Sequence, residues 1–333
     1  MSRPLRAVQI GAGSFCHDFH APTLQRLAAG ETPRISLEAI CDLNPDRAAL
    51  FAKEFGYRRV FDDFRLMIDE VRPDVIYCMV QPSATAGVLS AILPLAIPLF
   101  TEKPPGVTVE QSETLAELAE RHHVLNCVAF NRRAIPGVLR LKQWAEENAP
   151  IRYARAEMLR NRRVEPAFAV ETAIHALDCL RFVCGNAVAV ETRTKLYPAG
   201  AARDLYVRLH FASGAIADLT VLVDCGLTRE RYLVQAENQA MEVSLGASYS
   251  SAFCDSGEKA YRDNALMLNN QAPTDPLVAG GFTGEHELFL DAVAGGPPPL
   301  ASLADARHSL RLAMAVHQEY SGPLDRFASD VSA

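Results

Sequence analysis

The sequence has no Cys-x-x-Cys pair and no His-x-x-x-His set, so no zinc or iron–sulfur site is legible in its 333 residues. Its eight cysteines are scattered at positions 16, 41, 78, 127, 179, 184, 225 and 254. Several, such as Cys78 and Cys127, sit in apolar runs where a reduced cysteine packs as a small hydrophobe, which fits a reducing compartment. No stretch approaches the roughly eighteen consecutive apolar residues of a membrane span, and no apolar signal core precedes the first strand. A cytoplasmic protein without a membrane role is expected. Positive charge is also short: 33 Lys and Arg against 40 Asp and Glu leave a net charge of −7, which disfavours a nucleic-acid partner held mainly through phosphates. Low-complexity tracts and internal repeats are missing too, and 49% hydrophobic with 22% charged residues is an ordinary globular composition, long enough for two domains.

What is present begins ten residues in, where the apolar run 5–10 meets Gly11-Ala12-Gly13. A Gly-x-Gly turn between a strand and a helix lets the backbone approach a pyrophosphate, whose charge then rests on the amides of the helix N-terminus. The third small position of that fingerprint is Cys16 rather than glycine or alanine. A second strand, 35–40, ends on Cys41-Asp42, which places the Asp42 carboxylate to accept hydrogen bonds from a ribose diol. The long gap from Gly13 to Asp42 is attributed to a loop over 29–34. The plainer alternative is an ordinary turn at Gly11 and Gly13, with Asp42 capping the next helix.

From 5 to about 130 apolar strands alternate with helical segments, with strands expected at 5–10, 35–40, 75–80, 99–101 and 124–129 and helices including 45–55 and 109–122. The texture then changes. A helix over 137–147 leads into strand-like runs at 151–159, 188–196, 205–211, 215–222, 231–236 and 240–245, with a hairpin turn at Ala212-Ser213-Gly214 and closing helices at 284–294 and 303–320. Residues 246–283 read as a long loop. The pattern predicts an α/β doubly wound parallel (Rossmann) domain over 1–130. Residues 131–333 should form an α+β substrate-binding and oligomerisation domain with a large, mostly antiparallel open sheet, its C-terminal helix free to pack back on the first domain.

Lys103, in Thr101-Glu102-Lys103-Pro104, follows a short strand and so falls at the carboxyl edge of the sheet, where an ammonium can polarise a carbonyl or exchange a proton. Glu171, His175 and Asp178 share one stripe of a helix over 171–184, an acid, base and acid constellation; a solvated amphipathic face would show the same spacing. Arg160, Arg162 and Arg163 follow the strand 151–159, as either an anion-binding loop or a solvated one.

Together Gly11-Ala12-Gly13, Glu102-Lys103-Pro104 and the helix Glu171 to Asp178 resemble the glucose-fructose oxidoreductase, inositol dehydrogenase and rhizopine-catabolism group of NAD(P)-dependent oxidoreductases. Phe130-Asn131-Arg132-Arg133 and residues 299–306 look like further landmarks, and the resemblance covers nearly the whole chain. It implies a catalytic pair Lys103 and His175 with Glu171 four residues ahead of the histidine. It also implies cofactor contacts from Gly11, Ala12, Gly13, Ser14, Phe15, Asp42, Gln81, Pro82, Glu102, Lys103 and Asn131, and substrate contacts from Arg160, Arg162 and Asp178. The sequence departs from the group at Cys16, at Glu171 for the commoner aspartate, at Ala173 for glycine, and at Ala86 where a histidine is frequent.

The expected activity is hydride transfer between nicotinamide and a sugar, polyol or related hydroxy or carbonyl compound. NAD is expected ahead of NADP because no cation immediately follows Asp42. A homodimer or homotetramer is expected from an uncovered apolar face of the second sheet. The rival readings are an NAD-binding regulator without turnover and an NAD-dependent glycosidase.

Overall fold

The structure, a computed structural model, describes residues 3–196, 202–245, 257–263 and 265–327. Cys254 and part of the expected 246–283 loop, residues 246–256 and 264, lie outside the described residues. The chain divides into two compact units, Met1–Ala129 with Phe282–Arg307, and Phe130–Gly281 with His308–Ala333.

In the first unit β1 (Leu5–Ile10), β2 (Ile35–Cys41), β3 (Arg59–Phe61), β4 (Val75–Cys78), β5 (Leu99–Thr101) and β6 (Asn126–Val128) form a six-stranded sheet in the order β3-β2-β1-β4-β5-β6. Every pairing is parallel. Such a sheet is covered on both faces, which is why β4 is buried at every position and β1 from Ala7 onward. Helices α1 (Ala21–Ala28), α2 (Pro45–Phe55), α3 (Phe64–Val71), α4 (Pro82–Ile92) and α5 (Val109–Arg121) alternate with the strands. The start of α2 is set by Asn44, whose side chain accepts from Arg47 N at 3.0 Å ahead of Pro45, and its end by Gly56 in the left-handed region, φ 86°. Strand order reverses at β1, whose neighbours are β2 and β4, so the Gly11 turn lies at a topological switch point.

The expected boundary near 130 lets the C-terminal helix alone pack back on the first domain, whereas the structure places the whole of Phe282–Arg307 in the first unit. The reason is packing. Phe289 and Leu290 of the helix Phe282–Val293 join the buried core with Leu24, Ile40, Tyr77 and Phe100, and Leu303 N donates to Asn126 Oδ1 at 2.7 Å.

In the second unit β7 (Tyr153–Leu159), β8 (Ala187–Leu196), β9 (Arg203–Phe211), β10 (Ile216–Leu222), β11 (Arg229–Ala236), β12 (Gln239–Leu245), β13 (Gly257–Arg262), β14 (Ala265–Gln271) and β15 (Gly322–Pro323) make a nine-stranded sheet in the order β14-β13-β12-β11-β7-β10-β9-β8-β15. Only β7 and β10 pair in parallel. The hairpin β13–β14 replaces part of the expected loop. Alternate residues of β7, β9 and β10 are buried, and α6 (Pro136–Glu147) and α7 (Ile174–Cys184) pack on that face. The opposite face, expected to be apolar, is mixed, with Leu159, Ile216, Leu222 and Leu233 half-exposed on it. It carries the ion pairs Arg155–Glu157 and Arg208–Asp218 among Tyr153, Tyr206 and Leu233.

Candidate functional site

The turn after β1 is built around Gly11, whose φ of +99° suits glycine, and a Cβ there would lie 2.3 Å from Met79 O. Its amide donates to Cys41 O at 2.8 Å, while its carbonyl accepts from Gln9 Nε2 at 2.8 Å. Gln9 is itself fully buried and held by Tyr57 Oη–H, 2.6 Å from Gln9 Oε1. A Cβ on Gly13 would meet nothing within 4 Å, and Gly13, Ser14 and Phe15 are exposed at the start of the following helical turn. That open, amide-rich helix start fits a diphosphate. Cys16 points into the core, where burial and the Glu102 carboxylate push its thiol pKa up, so the third fingerprint position behaves as a small apolar residue.

Asp42 closes this arrangement: Oδ2 accepts from Ala12 N at 2.8 Å, and Oδ1 from Asn44 N at 2.9 Å and Arg47 Nη2 at 2.6 Å. Burial alone would raise its pKa, but the bonds from Arg47 and the two amides outweigh it and hold the carboxyl below its ordinary value. Gln81 and Pro82 open α4 on the loop after β4.

At the end of β5, Glu102 N donates to Cys78 O at 3.0 Å, and Glu102 Oε2 accepts from Lys103 N at 3.0 Å. Glu102 Oε1 lies 2.5 Å from His20 Nε2, and His20 Nδ1 lies 2.9 Å from His286 Nε2. Burial would raise the Glu102 pKa; the His20 bond and the charges of His20 and Lys103 reverse the sign and lower it. The sequence reading missed His20, Glu285 and His286, whose ligand-type atoms lie within 4.8 Å of one another. No spacing could have flagged a group with members 266 residues apart.

In the second unit the helix expected over 171–184 is α-helical only from Ile174; residues Ala169–Ala173 form a wider π turn. This sets Glu171 on an exposed turn and His175 in the first turn of α7, buried, with its ring edge-on to Phe130 at 6.2 Å. Asp178, expected as a substrate contact, is held by protein side chains. It is fully buried, its oxygens 2.6 and 2.8 Å from the Arg133 guanidinium, with Ser309 Oγ donating at 2.5 Å and Arg181 at 3.5 Å. Asn131 donates from Nδ2 to Gly280 O at 2.8 Å and accepts at Oδ1 from Arg132 at 3.0 Å.

Arg160 likewise differs from its expected role. Its guanidinium is buried and shares Glu230 with Arg132, which donates at 2.8 Å, so Arg160 braces the sheet. Burial would raise the Glu230 pKa, yet the charges of Arg132 and Arg160 bring it down to about 2. Arg162 is exposed, and its amide donates to Asp224 Oδ1 at 3.1 Å; Arg163 pairs with Glu165 and Thr172. Among the described residues no helix is long and apolar enough to cross a membrane.

Residues 5–130 match the family model described as "Oxidoreductase family, NAD-binding Rossmann fold". The chain is 32% identical over 117 residues to a levoglucosan dehydrogenase of Pseudarthrobacter phenanthrenivorans, covering 34% of this chain and 29% of that protein. It is 22% identical over 305 residues to a myo-inositol 2-dehydrogenase of Thermotoga maritima, covering 84% and 87%. The chain spans between 29% and 56% of the length of the first curated relatives it matches. In fold it is similar to the solved UDP-N-acetylglucosamine 3-dehydrogenase of Acidithiobacillus ferrooxidans, with a TM-score of 0.80, 21% identity and coverage of 96% and 98%.

Proposed function

We propose that this chain, whose residues 5–130 match the NAD-binding Rossmann model of the Gfo/Idh/MocA oxidoreductases, is an NAD-dependent dehydrogenase of a sugar, polyol or related small hydroxy compound. The observation that carries the reading is the shared carboxyl edge of one parallel sheet, which bears both the Gly11 turn and Lys103. The exposed amides at Gly13 and Ser14 would take the diphosphate, and Asp42 would accept from the ribose hydroxyls. Bound NAD supplies the hydride acceptor. Oxidation of an alcohol also requires a group to remove the hydroxyl proton, and Lys103 and His175 divide that task, with Glu171 orienting the imidazole. The named relatives act on levoglucosan and myo-inositol, which supports a carbohydrate-like substrate.

The test is turnover with NAD on a panel of sugars, polyols and sugar acids. A dehydrogenase accumulates NADH, a glycosidase releases free sugar with no net NADH, and a regulator binds NAD without either product. NAD should bind about tenfold tighter than NADP, since a ribose 2′-phosphate would face Asp42; Arg47→Ala should widen the gap by removing the cation now paired with it. Tighter binding of NADP to the apo protein would remove Asp42 from this role.

The Tyr and Arg content of the outer face of the second sheet suits association, as both residue types are enriched at interfaces. Light scattering should report a dimer or tetramer. A monomer over a wide concentration range would refute it.

A further inference from the structure

Within the first unit a line of polar atoms, fully buried at its histidine end, runs from Lys103 N to Glu102, to His20 and to His286. His20 ends the helical turn Cys16–His20 that follows Gly13, whereas Glu102 directly precedes Lys103. Both imidazoles are fully buried, His286 stacks on Phe100 at 4.3 Å, and Phe282 meets His20 edge-on at 5.6 Å. The charged or titratable groups facing His20 are Glu102, His286 and the buried Glu285, 3.8 Å from His20 Nδ1.

An ionised Glu102 only accepts, so His20 Nε2 must carry its hydrogen. One further proton then lies between His20 Nδ1 and His286 Nε2. Burial and the nearby His20 hold the His286 pKa well below its ordinary value, which keeps that ring neutral. In an apolar surround such bonds are strong and their loss is costly, so each member fixes the next.

We propose that His20, steadied by His286, is a positioning residue that fixes Glu102 and through it the Lys103 backbone, tying the nucleotide-binding turn to the presentation of Lys103. This deepens the dehydrogenase reading, on which the role of Lys103 rests. Three readouts test it on the whole protein. A low-field proton resonance from His20 Nε2–H should be present in the wild type, lost in His20→Gln and Glu102→Gln, and shifted in His286→Phe, which keeps the ring stack on Phe100. His286→Phe should lower kcat by about tenfold to a hundredfold while KM for NAD changes by about twofold or less, because small misplacements near the chemistry act on the reacting geometry. The rate at which an acylating reagent labels Lys103, read by peptide mass spectrometry, should change severalfold in the same variant.

The labelling and resonance readouts need no turnover, so a chain inactive on every sugar would defeat the dehydrogenase reading while still deciding this one. Wild-type labelling and kcat in His286→Phe would overturn the proposal, as would the absence of the low-field resonance. Stoichiometric zinc in the purified protein would also overturn it, by making His20, Glu285 and His286 metal ligands.

Discussion

Lys103→Met and His175→Ala should each lower kcat by about a hundredfold or more while NAD affinity changes by only a fewfold, since proton transfer contributes on that scale. Lys103 belongs to the first unit and His175 to the second, so each substitution tests a separate piece of the molecule. Residues that act as one device are non-additive, and the double variant should be scarcely worse than either single one. Undiminished turnover on a confirmed substrate after either change would return that residue to a packing role. Glu171→Gln should have the milder effect, because the orienting role proposed for this exposed residue leaves the reacting groups in place.

Asp178→Ala should destabilise the protein by about 3–5 kcal/mol, because it strips the carboxylate from a buried Arg133 and leaves Arg181 facing the gap. Denaturant unfolding measures this as a lower midpoint. Converting Arg133→Met together with Asp178→Leu should recover much of the loss, since replacing a whole buried pair by apolar groups is far less costly than breaking it. A substrate-binding Asp178 would behave differently, with KM raised at unchanged midpoint. That outcome would contradict the structural role assigned here.

The parallel sheet was legible where its strands are buried apolar runs bounded by turn residues, as at β1, β4 and β5: the expected 99–101 coincides with β5, and the helix 45–55 with α2. The antiparallel strands β9 to β12 were legible for a different reason, their alternation of buried and half-exposed residues. The sequence pattern failed at β13 and β14, where Glu258, Lys259, Asn269 and Asn270 break the alternation, and at β3, only three residues long. Gly11 and Asp42 were readable as a local signature because both sit at the ends of adjacent strands.

The partners of Asp178 were not legible for a physical reason. Helical periodicity placed it on a polar stripe, but α7 is buried nearly throughout, and the stripe is satisfied by Arg133, 45 residues earlier. Arg160 follows the same logic, since its partner Glu230 is 70 residues away. Long-range partners leave no trace in spacing. The π turn at Ala169–Ala173 adds a further shift, because the assumed 100° per residue does not hold across it.

The return of Phe282–Arg307 to the first unit has a consequence for how the protein is made. A ribosome that has released residues up to 130 has delivered all six strands of the parallel sheet but not Phe289, Leu290 or His286. At ordinary elongation rates about ten to thirty seconds pass before those residues follow. Throughout that interval Tyr77 and Phe100 await the aromatic neighbours that complete their packing. The nascent nucleotide-binding unit therefore reaches its native core only after Phe289 and Leu290, well over a hundred residues beyond its last strand, have followed.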